Sequence, residues 1–497
     1  MKILIKEQIK EADRYTIENE PIASVDLMER AAEAIAGWID ENVDKQSPLL
    51  FVTGKGNNGG DGLAVARILN QKGFDCSIYA AYGKDFQNEE CRINMERLPA
   101  EIPFINSFKE IDERTIIIDA LLGTGISGNV KEPAASIISQ INSRNNKVIS
   151  IDLPSGMSAD TPVSLHSNNE TNTSQIIKAD ITLTLEFPKL AMLLPETGEY
   201  AGVIITLPVG LNKTYIEQAK SPYRYIDKTL IESLRKKRLK FDYKNIYGHA
   251  LLICGSKNMI GAAMLATGAA LRSGCGLVSV HIPYDERIAF QTRFPSAILS
   301  FDKAGYFSEL PSDIDKYNAI GTGCGSGIRL ETMKAFETLL KSAQIPLVID
   351  ADALNMMAMN KELLKYIPAN SILTPHPGEL KRLTGEWNSE ENKHRKVISL
   401  SSATKSIIVV KGAHTAIYLP DGTVYFNSTG NAGMAKGGSG DVLTGLITGL
   451  LSRGYSSFEA AVTGVYFHGL AGDRACEKYG SESMNSLDLL EEIRVMT

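Results

Sequence analysis

Leu49-Leu-Phe-Val-Thr53 runs straight into Gly54-Lys-Gly-Asn-Asn-Gly-Gly-Asp-Gly62, and a helical stretch from about Leu63 to Gln71 follows, stopped by Gly73. Five consecutive apolar or β-branched residues read as a strand buried on both faces, the habit of a parallel sheet. The same order of strand, polar turn and helix then recurs. Ser77-Ile-Tyr-Ala-Ala81 is a second strand, Thr115-Ile-Ile-Ile118 enters Asp119-Ala-Leu-Leu-Gly-Thr-Gly125, and Val148-Ile-Ser-Ile151 enters Asp152-Leu-Pro-Ser-Gly156. Ile181-Thr-Leu-Thr-Leu185 and Gly202-Val-Ile-Ile-Thr206 close the set, while upstream Leu27, Ala31, Ile35 and Trp38 share one helix face. Strands alternating with helices imply an α/β fold with a sheet covered on both sides. Each polar motif falls beyond a strand's carboxyl end, where open α/β sheets bind ligands.

The second half restarts this order. Ala250-Leu-Leu-Ile253 precedes Cys254-Gly-Ser256, and a helix rich in Ala and Gly spans about Gly261 to Ser273, suited to close packing or to a ligand at its start. Ala319-Ile320 enters Gly321-Thr-Gly-Cys-Gly-Ser-Gly327, Leu347-Val-Ile349 enters Asp350-Ala-Asp-Ala-Leu-Asn355, and Ser371-Ile-Leu373 enters Thr374-Pro-His-Pro-Gly-Glu379. Ser406-Ile-Ile-Val-Val410 enters Lys411-Gly-Ala-His-Thr415. Between the halves, residues 211–245 turn polar, break at Ser221-Pro222 and carry the basic run Arg235-Lys-Lys-Arg-Leu-Lys240, read as solvated surface. A chain of 497 residues is long enough for two domains, each with its own core.

Composition excludes several classes. Apolar residues at 43% and charged residues at 22% are ordinary for a soluble globular protein, and a net charge of −6 offers no basic field for nucleic acid or anionic membrane. No apolar run reaches the length of a membrane span, and the charged start Met1-Lys-Ile-Leu-Ile-Lys6 does not suit a secretory signal. The six cysteines are scattered with no CxxC pair, which points to a reduced cytoplasm and to small buried side chains rather than disulfides or structural zinc.

Most chemistry concentrates in Asn427-Ser-Thr-Gly-Asn-Ala-Gly-Met-Ala-Lys-Gly-Gly-Ser-Gly-Asp441, which opens the apolar run Val442 to Leu451. Glycines let backbone N–H groups converge on a phosphate, and a helix start adds its positive dipole end. An acid there would repel the phosphate, so Asp441 makes sense as a base on a neighbouring hydroxyl, or as a helix cap. Gly54, Gly56 and Gly59 have GxGxxG spacing, yet Ser77 to Gly83 carries no acid for a ribose, and no Walker Gly-Lys-Ser/Thr is present. Asn57 to Asp61 offers amide oxygens and a carboxylate in a tight loop. With Asp119 and Ser155 it supplies oxygens for a hard, weakly held cation, or it forms a self-bonded turn. Asp119 and Asp152 end apolar strands and are candidates for proton transfer or for contact with ligand hydroxyls. His376, stiffened by two prolines and followed by Glu379, suits a polar ligand or a proton shuttle. Asp350 and Asp352 read as water-mediated Mg²⁺ ligands or as caps of a helix from Ala353, and Lys411-Gly412 as a phosphate contact. His394, in a charged segment, is expected to be exposed.

These motifs, in this order, resemble the bacterial bifunctional NAD(P)H-hydrate repair family along nearly the whole chain. Leu27-Met-Glu-Arg-Ala31, Gly56-Asn-Asn-Gly-Gly-Asp-Gly62, Asp119 to Gly125 and Asp152 to Gly156 resemble its hydrate epimerase; Gly261 to Ala266, Ala270 to Gly274, Asp350 to Asn355, Thr374 to Glu379 and Gly430 to Asp441 resemble its ADP-dependent hydrate dehydratase. Tyr243-Lys-Asn245 departs from the family's His-Lys-Gly while keeping Lys244. The resemblance implies a Rossmann-like three-layer domain over residues 1–220 and a ribokinase-like domain over 221–497. It implies that the hydrates NADHX and NADPHX are epimerised between R and S, and that the S form is dehydrated with ADP and Mg²⁺, giving AMP and phosphate. Asn57, Asn58, Gly59, Gly60, Asp61, Gly123, Thr124, Gly125, Ile126, Ser127, Gly128, Asn129 and Asp152 would hold the hydrate in the first domain, where Asn58, Asp119 and Ser155 would bind K⁺. In the second, Ala262, Gly325, His376 and Asp441 would contact the hydrate, and Lys411, Gly412, Ala413, His414, Thr415 and Gly440 the nucleotide. The candidate catalytic residues are Asp119 and Asp441, in an expected homo-oligomer.

Overall fold

The chain divides into two compact units, Lys2–Tyr223 and a unit from Arg224 onward that also takes in Met1. The structure is a computed structural model that describes residues 1–83, 88–126, 128–160 and 175–495.

In the first unit the helices α1 (Lys6–Asn19) and α2 (Ser24–Asn42) precede β1 (Leu49–Thr53), α3 (Asn57–Gln71), β2 (Cys76–Ala80) and α4 (Glu89–Glu96). Then come β3 (Ile116–Ala120), α5 (Ala134–Asn142), β4 (Val148–Ile151), β5 (Ile181–Leu185), β6 (Val203–Leu207) and α6 (Lys213–Gln218). The strands order as β2-β1-β3-β4-β5-β6, and every neighbouring pair is parallel. The chain leaves β1 toward β2 and returns on the other side at β3, so the carboxyl ends of β1 and β3 flank a topological switch point. Residues Leu49 to Val52 and Ile116 to Asp119 are all buried, as an enclosed parallel sheet requires.

One element corrects the sequence reading. Asn57 to Asp61 is not a loop ahead of a helix from Leu63 but the first turns of α3, which begins at Asn57 behind an extended Gly56. The glycines serve close packing there. A Cβ on Gly59 would meet the Gly54 carbonyl oxygen at 2.1 Å, and one on Gly62 would meet Ala120 Cβ at 2.5 Å. Only residues without side chains let the helix start this close to β1 and β3.

The second unit contains β7 (Tyr223–Ile226), α7 (Lys228–Ser233), β8 (His249–Ile253), α8 (Ile260–Arg272), β9 (Leu277–Pro283), α9 (Arg287–Arg293) and β10 (Ile298–Asp302). It continues through β11 (Ala319–Thr322), α10 (Leu330–Ser342), β12 (Leu347–Ile349), α11 (Ala351–Met359), β13 (Ile372–Leu373), α12 (Pro377–Thr384) and α13 (Glu390–Thr404). It closes with β14 (Ile407–Val410), β15 (Ala416–Tyr418), β16 (Val424–Asn427), α14 (Ser439–Ser452), α15 (Ser457–Tyr479) and α16 (Ser486–Glu491). The sheet order is β10-β9-β8-β11-β12-β13-β14-β15-β16-β7; the pairs from β10 to β14 are parallel, and β15 and β16 extend the sheet antiparallel.

Helix α14 is buried from Val442 through Ser452, which explains its apolar run. Its glycines lie directly on α8: a Cβ on Gly445 would meet the Ala266 carbonyl oxygen at 1.9 Å. Close packing is therefore one reason α8 is built from Ala and Gly. His394 corrects a second expectation. It lies on the inner face of α13 with Lys393, Val397 and Ser401, is 9% exposed, and shares a 2.8 Å hydrogen bond with the Tyr418 hydroxyl. A charged segment can still present one helical face to the core, and burial pushes this imidazole down to about 4. All six cysteines are free thiols, four of them buried. Among the described residues no helix is long and apolar enough to cross a membrane.

Candidate active sites

In the first unit a cavity of about 690 Å³ opens where α1, α2 and the start of α3 meet the ends of β1, β3, β4 and β5, a size suited to a small ligand. Asn57, Asn58, Gly59, Asp61, Gly123, Thr124, Gly125, Ile126 and Asp152 all line it. Gly60 is not on the wall; a Cβ there would meet Met28 Sδ at 2.8 Å. Gly128 and Asn129 are not on the wall, and Ser127 lies outside the described residues.

Asp119 and Ser155 do not line the cavity either, and both are fully buried. One Asp119 carboxylate oxygen accepts from the Ser150 hydroxyl at 2.7 Å and the Ser155 N–H at 2.8 Å; the other accepts from the Ser155 hydroxyl at 2.5 Å and the Leu121 N–H at 3.3 Å. Burial raises its pKa, and these donors hold the rise back. A carboxylate so enclosed is placed to anchor the loop that carries Ser155. The Ser155 hydroxyl accepts from the Leu122 N–H at 2.8 Å, and the Leu122 carbonyl accepts from Asn58 Nδ2 at 3.0 Å. Asn58 Oδ1 is buried with no hydrogen-bond partner. Such an orphaned amide oxygen, next to a serine hydroxyl, a carbonyl and a carboxylate, has the donor chemistry of a monovalent cation site.

The cavity wall carries a charge cluster that sequence reading missed in part. Asp152, with a left-handed backbone at φ 67°, forms an ion pair with Lys189, which is 2% exposed and also donates to Thr184 Oγ1 at 3.1 Å and to the Leu185 and Phe187 carbonyls. Asp61 is pushed well above the usual carboxylate range by burial, then by the charges of Asp152 and Asp13. Asp13, on α1, is raised to about 6 by burial and by Asp152, with Lys189 opposing. Removing Lys189 leaves Asp152 facing two other acids, so Lys189→Met is expected to destabilise this unit by about 3–5 kcal/mol. Thermal unfolding of the variant checks this; an unchanged transition would show the pair to be dispensable.

In the second unit the candidate residues gather around the start of α14. Gly438, at φ 93°, begins the helix without a side-chain cap, and Asp441 lies in the first turn. Asp441 therefore does not cap the helix. Its carboxyl is raised to about 6, first by burial; Asp350 and Asp352 add to the rise, while the Cys324 thiol and Lys411 oppose it. Gly440 lies against Lys411 and Asp350: a Cβ there would be 3.2 Å from Lys411 Nζ and 3.5 Å from Asp350 Oδ2. Gly325 lies against Ala262: a Cβ on the glycine would be 3.0 Å from Ala262 Cβ. Lys411 through Thr415 form the β14–β15 turn, closed by the Thr415 hydroxyl donating to the Gly412 carbonyl at 3.1 Å, with Gly412 and Ala413 exposed. His414 turns inward onto the Asn427 carbonyl at 3.0 Å, and burial lowers its pKa.

Asp350 caps α11, and its oxygens are engaged by the Ala351 N–H at 2.8 Å, Lys411 Nζ at 2.8 Å and the Thr444 hydroxyl at 2.7 Å. Asp352 accepts from the Gly327 N–H at 2.8 Å and so pins the glycine loop after β11. The capping alternative thus describes Asp350, whose two carboxylate oxygens are both engaged. His376 caps α12, accepting from the Gly378 N–H at 3.0 Å through Nδ1, while Glu379 returns a bond to the His376 N–H at 2.8 Å. The imidazole is half exposed, with Nε2 3.5 Å from Glu379. It is oriented by its own helix.

The family model described as NAD(P)H-hydrate dehydratase matches residues 250–495, and the one described as YjeF-related protein N-terminus matches residues 24–191. The bifunctional NAD(P)H-hydrate repair enzyme of Moorella thermoacetica is 31% identical, with 99% of this chain and 96% of that protein covered. The chain belongs to the bifunctional NAD(P)H-hydrate repair enzyme family. The Coxiella burnetii member is 32% identical, with 98% of each chain covered. Among solved structures, an ADP/ATP-dependent NAD(P)H-hydrate dehydratase from Bacillus subtilis, co-crystallised with ATP/Mg²⁺, is 29% identical. It covers 54% of this chain and 96% of its own, with a TM-score of 0.48.

Within this family framework, Asp13 and Lys189 are the residues sequence reading did not reach. Lys189 follows β5 and Asp13 sits on α1, where neither belongs to a glycine-rich motif. The signal available for Asp13 was its place between Ile9 and Ile17 at helical spacing, an acid on an apolar face.

Proposed function

We propose that the protein repairs hydrated NADH and NADPH: the first unit interconverts the R and S hydrates, and the second dehydrates the S form using ADP. The observation that carries this reading is Asp441, a carboxyl raised to about 6 in the first turn of a glycine-started helix, beside Lys411 and Gly440. A base with that pKa is ionised at neutral pH and still basic enough to take a hydroxyl proton. In this reading Asp441 removes the proton of the C6 hydroxyl as its oxygen attacks the terminal phosphorus of ADP, and AMP leaves. The α14 N–H groups and Lys411 receive the transferred charge. The phosphate then departs from C6 with its C–O electron pair, a proton leaves C5, and the C5–C6 double bond is restored.

Ala262, Gly325 and His376 would contact the hydrate, and Lys411 to Thr415 with Gly440 the nucleotide. The exposure of Gly412 and Ala413 supports the latter assignment. In the first unit Asn57, Asn58, Asp61, the Gly123–Ile126 stretch and Asp152 would hold the hydrate, which their place on the cavity wall supports. Asn58 Oδ1, Asp119, Ser155 and the Leu122 carbonyl fit K⁺, a cation that would fix the loop after β3. Mg²⁺ fits less well as a protein-bound ion. Both Asp350 oxygens are taken, and no three His, Cys, Asp or Glu side chains converge among the described residues. The metal would enter with the nucleotide phosphates.

A mixed-epimer NADH hydrate supplied with ADP, Mg²⁺ and K⁺ tests the whole reading. Full recovery of the nicotinamide absorbance with stoichiometric AMP and phosphate is expected. A stable phosphoester would make the second unit an ordinary kinase, and recovery that stalls at the S fraction would remove the epimerase.

A further inference from the structure

We propose that Asp13 is the carboxylate that exchanges a proton with the C6 hydroxyl during epimerisation; this rests on reading the first unit as the hydrate epimerase. Helix α1 presents Ile9, Asp13 and Ile17 to the cavity, four residues apart on one face. An acid between two isoleucines contributes nothing to packing, and burying it is costly unless it has a use. Only burial and the charges of Asp152 and Lys189 act on its carboxyl, with no hydrogen bond among them. By contrast, Glu11 on the same helix accepts from the Tyr215 hydroxyl at 2.6 Å.

The other acids of this site are already committed. Asp152 is held by Lys189, and Asp119 is enclosed by four hydrogen bonds away from the cavity wall. Asp61 shares the cavity with Asp13, and burial pushes its carboxyl well above the usual carboxylate range. Two carboxyl groups on one cavity wall, both raised by burial, offer a base and an acid that can act together.

The step they would carry is balanced. Asp13 takes the C6–O–H proton, a C6=O bond forms, and the C6–N1 electron pair moves onto nitrogen, which takes a proton from Asp61. The opened aldehyde rotates about C5–C6. Reclosure on the other face returns the N1 proton to Asp61 and the Asp13 proton to oxygen. No oxidant or co-reactant is needed.

The test uses the full chain with mixed-epimer NADH hydrate and ADP, reading the slow phase due to R. Asp13→Asn is expected to slow that phase by about a hundredfold or more, toward the spontaneous rate, with the fast S phase intact. Asp13→Glu should restore part of it. In the wild type, the rate of R conversion should rise with pH through about 6, because Asp13 must be ionised. The groups facing it are Asp61 from α3, Asp152 after β4 and Lys189 after β5, with Lys10 and Lys55 on the same cavity wall. An Asp13→Asn protein that epimerises within about threefold of wild type overturns the proposal. So does a wild-type profile that is flat from about pH 5 to about pH 8, which decides the matter even where the variant fails to fold. If wild type itself consumes R no faster than buffer does, the epimerase reading falls first.

Discussion

Asp441→Asn is expected to abolish ADP-dependent dehydration, a loss on the order of a hundred- to ten-thousand-fold, while R and S still interconvert. The amide preserves the shape of the α14 first turn, and no hydrogen bond caps the helix through this side chain, so the fold should hold. What disappears is the one carboxyl at the helix start that burial has raised to about 6. The sign of the pH effect follows. The base must be unprotonated, so wild-type dehydration of the S form should climb as pH rises through about 6 and level off above it. Following S consumption against pH checks both points; a folded Asp441→Asn enzyme with full activity would remove this residue from the mechanism.

Substituting Asp119 should have the largest combined effect on fold and activity. In Asp119→Ala the Ser150 hydroxyl and the Ser155 N–H lose their acceptor inside a region closed to water, and the Ser155 hydroxyl keeps only the Leu122 carbonyl at 3.2 Å. Each stranded donor costs about 1–3 kcal/mol, enough together to threaten the whole first unit. Asp119→Asn separates charge from shape, since it keeps one acceptor oxygen and loses the negative charge expected to hold K⁺. Its R conversion should fall toward the spontaneous rate, with at least about a tenfold higher K⁺ requirement, while the S phase continues. Titrating K⁺ against R consumption measures this. An Asn variant with the wild-type K⁺ response would show that Asp119 is only a scaffold for the Ser155 loop.

Strand periodicity made much of the fold legible, because a parallel strand buried on both faces leaves a short unbroken apolar run bounded by turn residues. Leu49–Thr53, Val148–Ile151 and Ile181–Leu185 needed no adjustment at their ends. The start of α3 was not legible. Glycines ordinarily argue for a loop, and only the proximity of Gly54 and Ala120 shows that they are there to let a helix in. His394 failed for a related reason: charge in a segment says little about which way each residue of a helix faces.

By itself, then, the sequence determined the two α/β halves, the strand-end placement of Asp119 and Asp152, and the glycine-rich start of α14 with its Asp441, because these depend on local pattern. Tertiary structure alone decided how those residues function. It enclosed Asp119 behind hydrogen bonds, tied Asp350 to Lys411 and Thr444, and left Asn58 Oδ1 without a partner. It also brought Asp13 and Lys189, 176 residues apart in the chain, to one cavity wall. A carboxylate's chemistry depends on its burial and on the charges around it, and both are set by residues distant in sequence that only the folded chain brings together.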